Sequence, residues 1–480
     1  MVFLVSFVLL CLLLQEHAYG DGIFYLWRAR QREWYAHHHL YMPGMICFSA
    51  LLELFSMPDR LACFLFHPFM TSAGNALLYL ALRRCLEITG ALALTLLVAT
   101  TPSLLFFATT VENHAPHYAW VCLALWLCWR AIDQDTRLAW LWGGLGLAAV
   151  PASHLCGFLL VPALVWLAAV RGGSVPVISS CERPRLASLG LLVLPLLLYA
   201  TLMHFGPVAV WFKGAVLGVP APYLADPIGF QIRGQVLGRE QSLGAWLPLL
   251  RDAWLLPAFG VWVALVLALP LLRRRRLLLL CCCGLVCFVI PVTLHGAAER
   301  GAYYLALLPL VATLLGRSGF PAGPLGVAAI LALSLAQTAV GVGEIAAYPS
   351  SQKDPPWTWA ADAAELGRKE SLEFGGNTKA VFLCDDLWRV RHLQYEQRAD
   401  AIHVPTELIQ RNYTRLDRFL VYLETELLPH YLRRRPVIIS DAMWEELPAK
   451  WPELRMVLAT RFRSVAVAGG RFMGYRILLQ

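Results

Sequence analysis

The stretch Val2-Phe3-Leu4-Val5-Ser6-Phe7-Val8-Leu9-Leu10-Cys11-Leu12-Leu13-Leu14 is apolar throughout. Gly20-Asp21 follows it closely, and a histidine-rich loop then ends in Tyr35-Ala36-His37-His38-His39-Leu40-Tyr41-Met42-Pro43. The first run has the composition of a membrane span, and most of the next three hundred residues share it. An acid just past a span, then a histidine cluster, is costly to keep at a bilayer surface and marks a functional candidate.

Composition agrees. The 480 residues are 58% hydrophobic and 15% charged, against about 25% charged in an ordinary soluble chain. The deficit lies before residue 343, so we expect a polytopic α-helical membrane domain over 1–342 and an α/β domain over 343–480. Net charge is +8, but most basic residues are arginines in short loops. That pattern reports topology rather than nucleic-acid binding, which we exclude. The 13 cysteines lie almost all in apolar runs, Cys281, Cys282, Cys283 and Cys287 included, and behave as small hydrophobes rather than a disulfide framework.

Further apolar runs fall at about 61–82, 89–109, 116–130, 138–151, 154–170, 186–205, 253–272, 277–294, 302–316 and 321–342, which with the first makes about eleven transmembrane helices. Pro151-Ala152-Ser153-His154 breaks the 138–170 region into two short helices meeting at a turn. Ala18-Tyr19-Gly20 resembles a small-residue cleavage site, but no positive region leads it and spans follow at once, so we read a retained first span. With the N-terminus in the cytoplasm, the inner loops receive Arg83-Arg84, Arg130 with Arg137, Arg171 with Arg183 and Arg185, Arg273–Arg276, and Arg317. Only the first outer loop, with Arg28, Arg30 and Arg32, is comparably basic.

This register collects the unusual residues on the outer face. Asp21, His37–His39, Val111-Glu112-Asn113-His114, His154, the long loop with Lys213, Asp226 and Arg233, and Glu299-Arg300 all fall there. A boundary carboxylate such as Asp21 can deprotonate an acceptor hydroxyl or amine, and Glu112 can orient that acceptor or join Asp21 in holding a divalent cation. Of the histidines, one or two are expected to face the site. His154, at the helix break, can line a cavity. Arg300, at a helix entrance, can grip phosphate in bidentate fashion. Each also has a plainer reading as cap, interfacial turn, or, for Arg300, a partner of Glu299. In the tail, Lys379–Asp386, Ala401–Pro405 and Pro436–Asp441 read as strands ending in polar residues, with a helix over 408–432 between them, hence a parallel sheet. Asn412-Tyr413-Thr414 fits a glycosylation sequon.

The arrangement resembles the GT-C superfamily of membrane glycosyltransferases, in the branch of the protein O-mannosyltransferases and the aminoarabinose transferase. The resemblance rests on Asp21 with the 38–41 stretch, on Glu112, on the paired short helices at His154, and on Arg300-Gly301-Ala302-Tyr303-Tyr304. The paired acids often found in that family's first loop are one here, since Gly22 follows Asp21, and Glu33 stands at the wrong spacing. The resemblance implies a polyprenyl-phosphate sugar donor, an acceptor that is protein, lipid or glycan, and hexosyl or pentosyl transfer with inversion. It implies Asp21 as base, assisted by Glu112 or by Mg²⁺ or Mn²⁺ held between the two acids. Arg300 with Lys213 would hold the lipid phosphate, and His38, His39, His114, His154 and Tyr303 would contact substrate. A bacterial inner membrane, with the tail in the periplasm, suits this reading. The rival readings are a transporter or flippase of a lipid-linked substrate, which should carry mid-membrane polar groups in two symmetric halves, and a non-catalytic assembly protein.

Overall fold

The computed structural model describes residues 1–33, 38–169, 186–204, 206–216, 248, 251–272, 299–321, 323–351, 356–373, 379–384, 386–403, 435–450, 456 and 462–479. His37, Asp226, Arg233, Cys281–Cys283, the 277–294 run, the 408–432 helix and the Asn412 sequon lie outside these residues. The chain forms two compact units. One holds Met1–Gly22 and Arg28–Ala347; the other holds Ile23–Trp27 and Tyr348–Gln480.

The first unit is helical. Its leading helices are α1 (Val2–Leu12), α2 (Gly22–Gln31), α3 (Tyr41–Glu53), α4 (Asp59–Leu82), α5 (Ile88–Ala99), α6 (Pro102–Ala108), α7 (His114–Gln134) and α8 (Arg137–Ser153). By length and composition Asp59–Leu82, Arg251–Ala268 and Gly323–Pro349 could each cross a membrane. Among the described residues, these three are long enough alone. The pair α5–α6, bent by 70°, adds a fourth if taken as one span. The 138–170 region is divided as its prolines suggest. Helix α8 stops at Ser153, a 3₁₀ turn covers Leu155–Leu159, and α9 (Val161–Ala169) resumes the path.

The α5–α6 bend has a specific chemistry. Pro102 opens α6 and supplies no N–H. The Thr101 N–H turns to the Val98 carbonyl at 3.1 Å, and the Leu97 carbonyl is taken up by Gln337 Nε2 at 2.9 Å, from helix Gly323–Ser351. Gln337 Oε1 in turn accepts from the Gly260 N–H at 3.0 Å. A fully buried amide thus closes backbone groups on two other helices, as an apolar surrounding demands.

The bend aims the Thr109–Asn113 segment at the segment after α1. Gln15 N–H donates to the Thr109 carbonyl at 2.9 Å, and Gln15 Nε2 donates to the Phe106 carbonyl at 2.8 Å and to Thr109 Oγ1 at 2.9 Å. Thr110 Oγ1 donates to the His17 carbonyl at 3.0 Å and accepts from the Tyr19 N–H at 3.1 Å. Two loops some ninety residues apart are thereby laced together.

The second unit holds a five-stranded sheet in the order β2-β1-β3-β5-β4. Its strands are β1 (Val381–Cys384), β2 (Asp400–His403), β3 (Val437–Ser440), β4 (Phe462–Gly469) and β5 (Phe472–Leu479). β1 runs parallel to both β2 and β3, while β5 runs antiparallel to β3 and β4. The expected parallel sheet is therefore mixed, extended by a hairpin over Gly469-Gly470. The core packs Trp359, Ala363, Leu366, Phe382, Ile438 and Phe472.

Replacing Thr110 with Val keeps the shape but strips the hydroxyl from two backbone partners. Each lost buried partner costs about 1–3 kcal/mol, so thermal unfolding of T110V in detergent should begin several degrees lower than in the parent chain. An unchanged midpoint would show that the lacing carries no stability.

Candidate active site

The laced loops set Asp21 beside Glu112. Asp21 precedes α2, and its backbone N–H donates to the Glu112 carboxylate. Gly20, at φ +50°, backs onto Glu112, so that a Cβ there would stand 3.5 Å from Oε2. At Gly22 a Cβ would collide with the Val111 carbonyl oxygen. That explains why no second acid follows Asp21 directly: the approach of the Val111–Glu112 segment leaves no room for a side chain at position 22.

The two carboxyls have different surroundings. Asp21 keeps an accessible edge, yet the protein packed around it removes enough water to hold its carboxyl above the usual range. Accessibility and crowding together describe a group in a concave surface. Glu112 is 6% exposed. Burial, and then the Asp21 charge, push its carboxyl well above the usual range, although the Asn113 N–H donates to Oε1 at 3.0 Å. Proton occupancy at neutral pH therefore favours Glu112, and charge favours Asp21.

Behind Glu112 stands His67 of α4, which the sequence reading passed over. Its Nδ1 faces the Cys63 carbonyl at 3.1 Å, and its Nε2 faces the Glu112 N–H at 3.2 Å. A carbonyl only accepts and an amide N–H only donates, so the ring is neutral with its proton on Nδ1. Tyr41 Oη lies 3.0 Å from the same Nε2. A histidine beside Pro68 inside an apolar helix was the available signal.

A layer of imidazoles adjoins this pair. Asn113 Nδ2 reaches the His38 ring at 3.0 Å. His154 lies at the centre, with ring centroids 5.4 Å from His38, 5.1 Å from His114, 5.3 Å from His117 and 5.9 Å from Tyr303. His154 Nδ1 accepts from the Cys156 N–H at 3.2 Å, so any proton on the neutral ring sits on Nε2. Ser153 O–H donates to the Val150 carbonyl, and its Oγ accepts from His117 Nδ1 at 2.7 Å. His39 Nδ1 meets Tyr199 Oη at 2.7 Å, and His204 Nε2 meets the same hydroxyl at 3.0 Å. His117, His204 and Tyr199 were not anticipated; each is a polar group in an apolar helix or at its end.

Arg300 approaches from another element. Glu299, Arg300 and Gly301 have φ of +32°, +51° and +77°, so a left-handed turn swings the guanidinium over the Phe106 ring at 4.6 Å. Non-glycine residues hold such a turn only under constraint. Arg300 pairs with Glu344 at 3.2 Å and hydrogen-bonds the Tyr19 side chain. Tyr303, 4.8 Å from His114 between centroids, lies in the field of Glu112 and Asp21. Asp21, Glu112, His38, His114, His154, Arg300 and Tyr303 thus share one region. Lys213 is buried at 3% exposure on the Phe212–Val216 turn, which packs on the Tyr199 helix, Leu186–Met203. Among the described residues no group of three or more His, Cys, Asp or Glu side chains is arranged to hold a metal ion.

A family model for dolichyl-phosphate-mannose-protein mannosyltransferases matches residues 45–211. ArnT from Cupriavidus metallidurans bound to undecaprenyl phosphate superposes with a TM-score of 0.63 at 12% identity, over 99% of this chain and 96% of that one. The chain shares the fold of that protein. The apo oligosaccharyltransferase of Archaeoglobus fulgidus is similar at a TM-score of 0.50 and 12% identity, over 98% of this chain and 74% of its own. No curated protein sequence matches the chain.

Raised carboxyls carry a signed prediction. The folded chain keeps protons that the unfolded chain has already released, so stability falls as pH rises from the ordinary glutamate value of 4.5 through the raised folded value. E112Q should flatten this fall and melt no lower than the parent at pH 8. A melting profile as steep as the parent's would contradict the assignment of the proton to Glu112.

Proposed function

We propose that the chain is an integral membrane glycosyltransferase that moves a sugar from a polyprenyl-phosphate donor to an acceptor on the periplasmic or lumenal face. The observation that carries this is the convergence of an accessible carboxylate, Asp21, with the Arg300 guanidinium, tied to the Asp21 loop through Tyr19. The GT-C fold supports it. So do the mannosyltransferase family match and the undecaprenyl phosphate in ArnT.

The chemistry needs a base on one face of the anomeric carbon and a cation on the other. Asp21 takes the acceptor's proton as the acceptor heteroatom bonds to that carbon. The bond to the phosphate oxygen breaks, and its electron pair leaves with the polyprenyl phosphate. Arg300, with Lys213, balances the charge of that leaving group. Direct attack inverts the sugar carbon. Protonated Glu112 orients the acceptor or the sugar as a hydrogen-bond donor, and His38, His39, His114, His154 and Tyr303 line the sugar. Mg²⁺ or Mn²⁺ would need a ligand beyond Asp21 and a protonated Glu112, and among the described residues no group of three such side chains is arranged to hold it, so no step is routed through it. In this reading the N-terminus is cytoplasmic in a bacterial inner membrane. Residues 343–480 form the extracytoplasmic domain that meets the acceptor.

Transfer from a labelled polyprenyl-phosphate sugar in vesicles tests the roles. D21N should lose about 10²- to 10⁴-fold in kcat, the usual range for a general base, while still binding the lipid. E112Q should keep most activity and E112A should not. The parent rate should fall with decreasing pH at a higher pH than an ordinary aspartate would impose, because the Asp21 carboxyl is raised. D21N at full rate would end the proposal. Transport of the lipid without transfer would favour a flippase.

A further inference from the structure

Glu344 has no role in the reaction just described, yet it holds the residue that the reaction needs most. It sits near the end of helix Gly323–Ser351, and its Oε2 lies 3.2 Å from Arg300 Nη1. Both partners keep accessible surface, with side chains 30% and 35% exposed, so the pair faces a surface that a ligand can reach. The guanidinium is otherwise fixed by three things that do not depend on Glu344: the left-handed Glu299–Gly301 turn, the Phe106 ring and the Tyr19 side chain. Three anchors already set its position. A fourth that is anionic does something else, because a carboxylate and a phosphate monoester present the same kind of oxygen to the same donors.

We propose that Glu344 is a competitor for Arg300 built into the chain, one that occupies the guanidinium when no lipid phosphate is present and drives the product phosphate off after transfer. This rests on the reading of Arg300 as the phosphate-binding residue. The leaving polyprenyl phosphate gains negative charge as the sugar bond breaks, since a phosphodiester-like anion becomes a monoester carrying close to two charges. A fixed carboxylate at Arg300 opposes that product more than it opposes the donor. Tight product binding would otherwise stall turnover, because a bidentate arginine–phosphate pair in a partly dehydrated site is strong. A half-exposed ion pair is itself worth only about 0–1 kcal/mol, weak enough to be displaced by each incoming donor. Glu344 is accordingly a positioning and specificity residue, and its effect belongs on lipid affinity rather than on bond formation.

Binding of undecaprenyl phosphate in detergent micelles to the full-length chain, its E344Q variant and its R300Q variant tests this. E344Q should bind about twofold to fivefold tighter, the range a surface pair of this kind can oppose. In transfer assays it should show a lower donor KM, stronger inhibition by added undecaprenyl phosphate, and a steady-state kcat reduced more than the single-turnover rate. R300Q should lose binding. E344Q binding equal to or weaker than the parent, with R300Q still defective, would mean that Glu344 merely supports Arg300, and the inference would fall alone. Equal binding by parent and R300Q would remove the phosphate reading of Arg300 and the inference with it. If E344Q does not fold, E344A decides in the same way. Raised salt offers an independent check: it should narrow any gap between parent and variant.

Discussion

The hydrogen bonds between Gln15–Tyr19 and Phe106–Thr110 are the constraint on which the site depends. Without them Asp21 and Glu112 are the ends of two unrelated helices. With them, Thr109 and Thr110 are fully buried, every hydroxyl is used, and the chain after α1 cannot drift from the chain before α7. In an apolar surrounding an unmade bond of this kind is expensive, so the lacing sets position as firmly as a packed core does. The bend at Pro102 presents the second loop, and Gln337 makes the bend tolerable.

Close approach then dictates composition. The Val111 carbonyl leaves room only for glycine at position 22, and Gly20 takes a left-handed backbone beside Glu112. Asp21 has no acidic neighbour at position 22 because a second side chain there would push the two segments apart. The missing partner is supplied across the lacing instead, by Glu112. Two carboxyls in unlike surroundings separate their proton affinities, and a single proton shared unequally gives one base and one donor. Neutral His67 stands behind this division. A ring charged at that place would repel nothing useful, whereas a ring locked as an acceptor holds the Glu112 backbone still.

Much of this was legible as single residues and little of it as neighbours. Asp21, Glu112, His154 and Arg300 are polar groups at the edges of apolar runs, and a charge at such an edge is visible without any structure. Their adjacency was not visible, because it arises from bonds between residues more than ninety positions apart. His67 and His117 lie inside largely apolar helices, and attention to loop positions passed over them. The break at His154 was readable from Pro151, since proline forecasts a local event. The β4–β5 hairpin was missed for a different reason. Val465-Ala466-Val467-Ala468 alternates too weakly to announce a strand, and Gly469-Gly470, whose second residue adopts φ +56°, was the signal to weigh.

The imidazole layer adds a last consideration. His154 and the three imidazoles 5.1 to 5.4 Å from it cannot all be protonated together, because each new charge raises the cost of the next. The hydrogen bonds assign His154 as neutral, since it accepts through Nδ1, and place a proton on His117 Nδ1, facing a serine whose own proton is committed elsewhere. A surface of neutral rings with fixed donors and acceptors suits a ligand that is hydroxylated rather than charged. Under the proposed function, charge recognition is concentrated instead at Arg300 and proton chemistry at Asp21. Separating shape, charge and proton transfer among three neighbouring groups lets each be tuned by its own partners: the rings by Ser153 and Tyr199, the guanidinium by Tyr19 and Glu344, the carboxylate by Glu112.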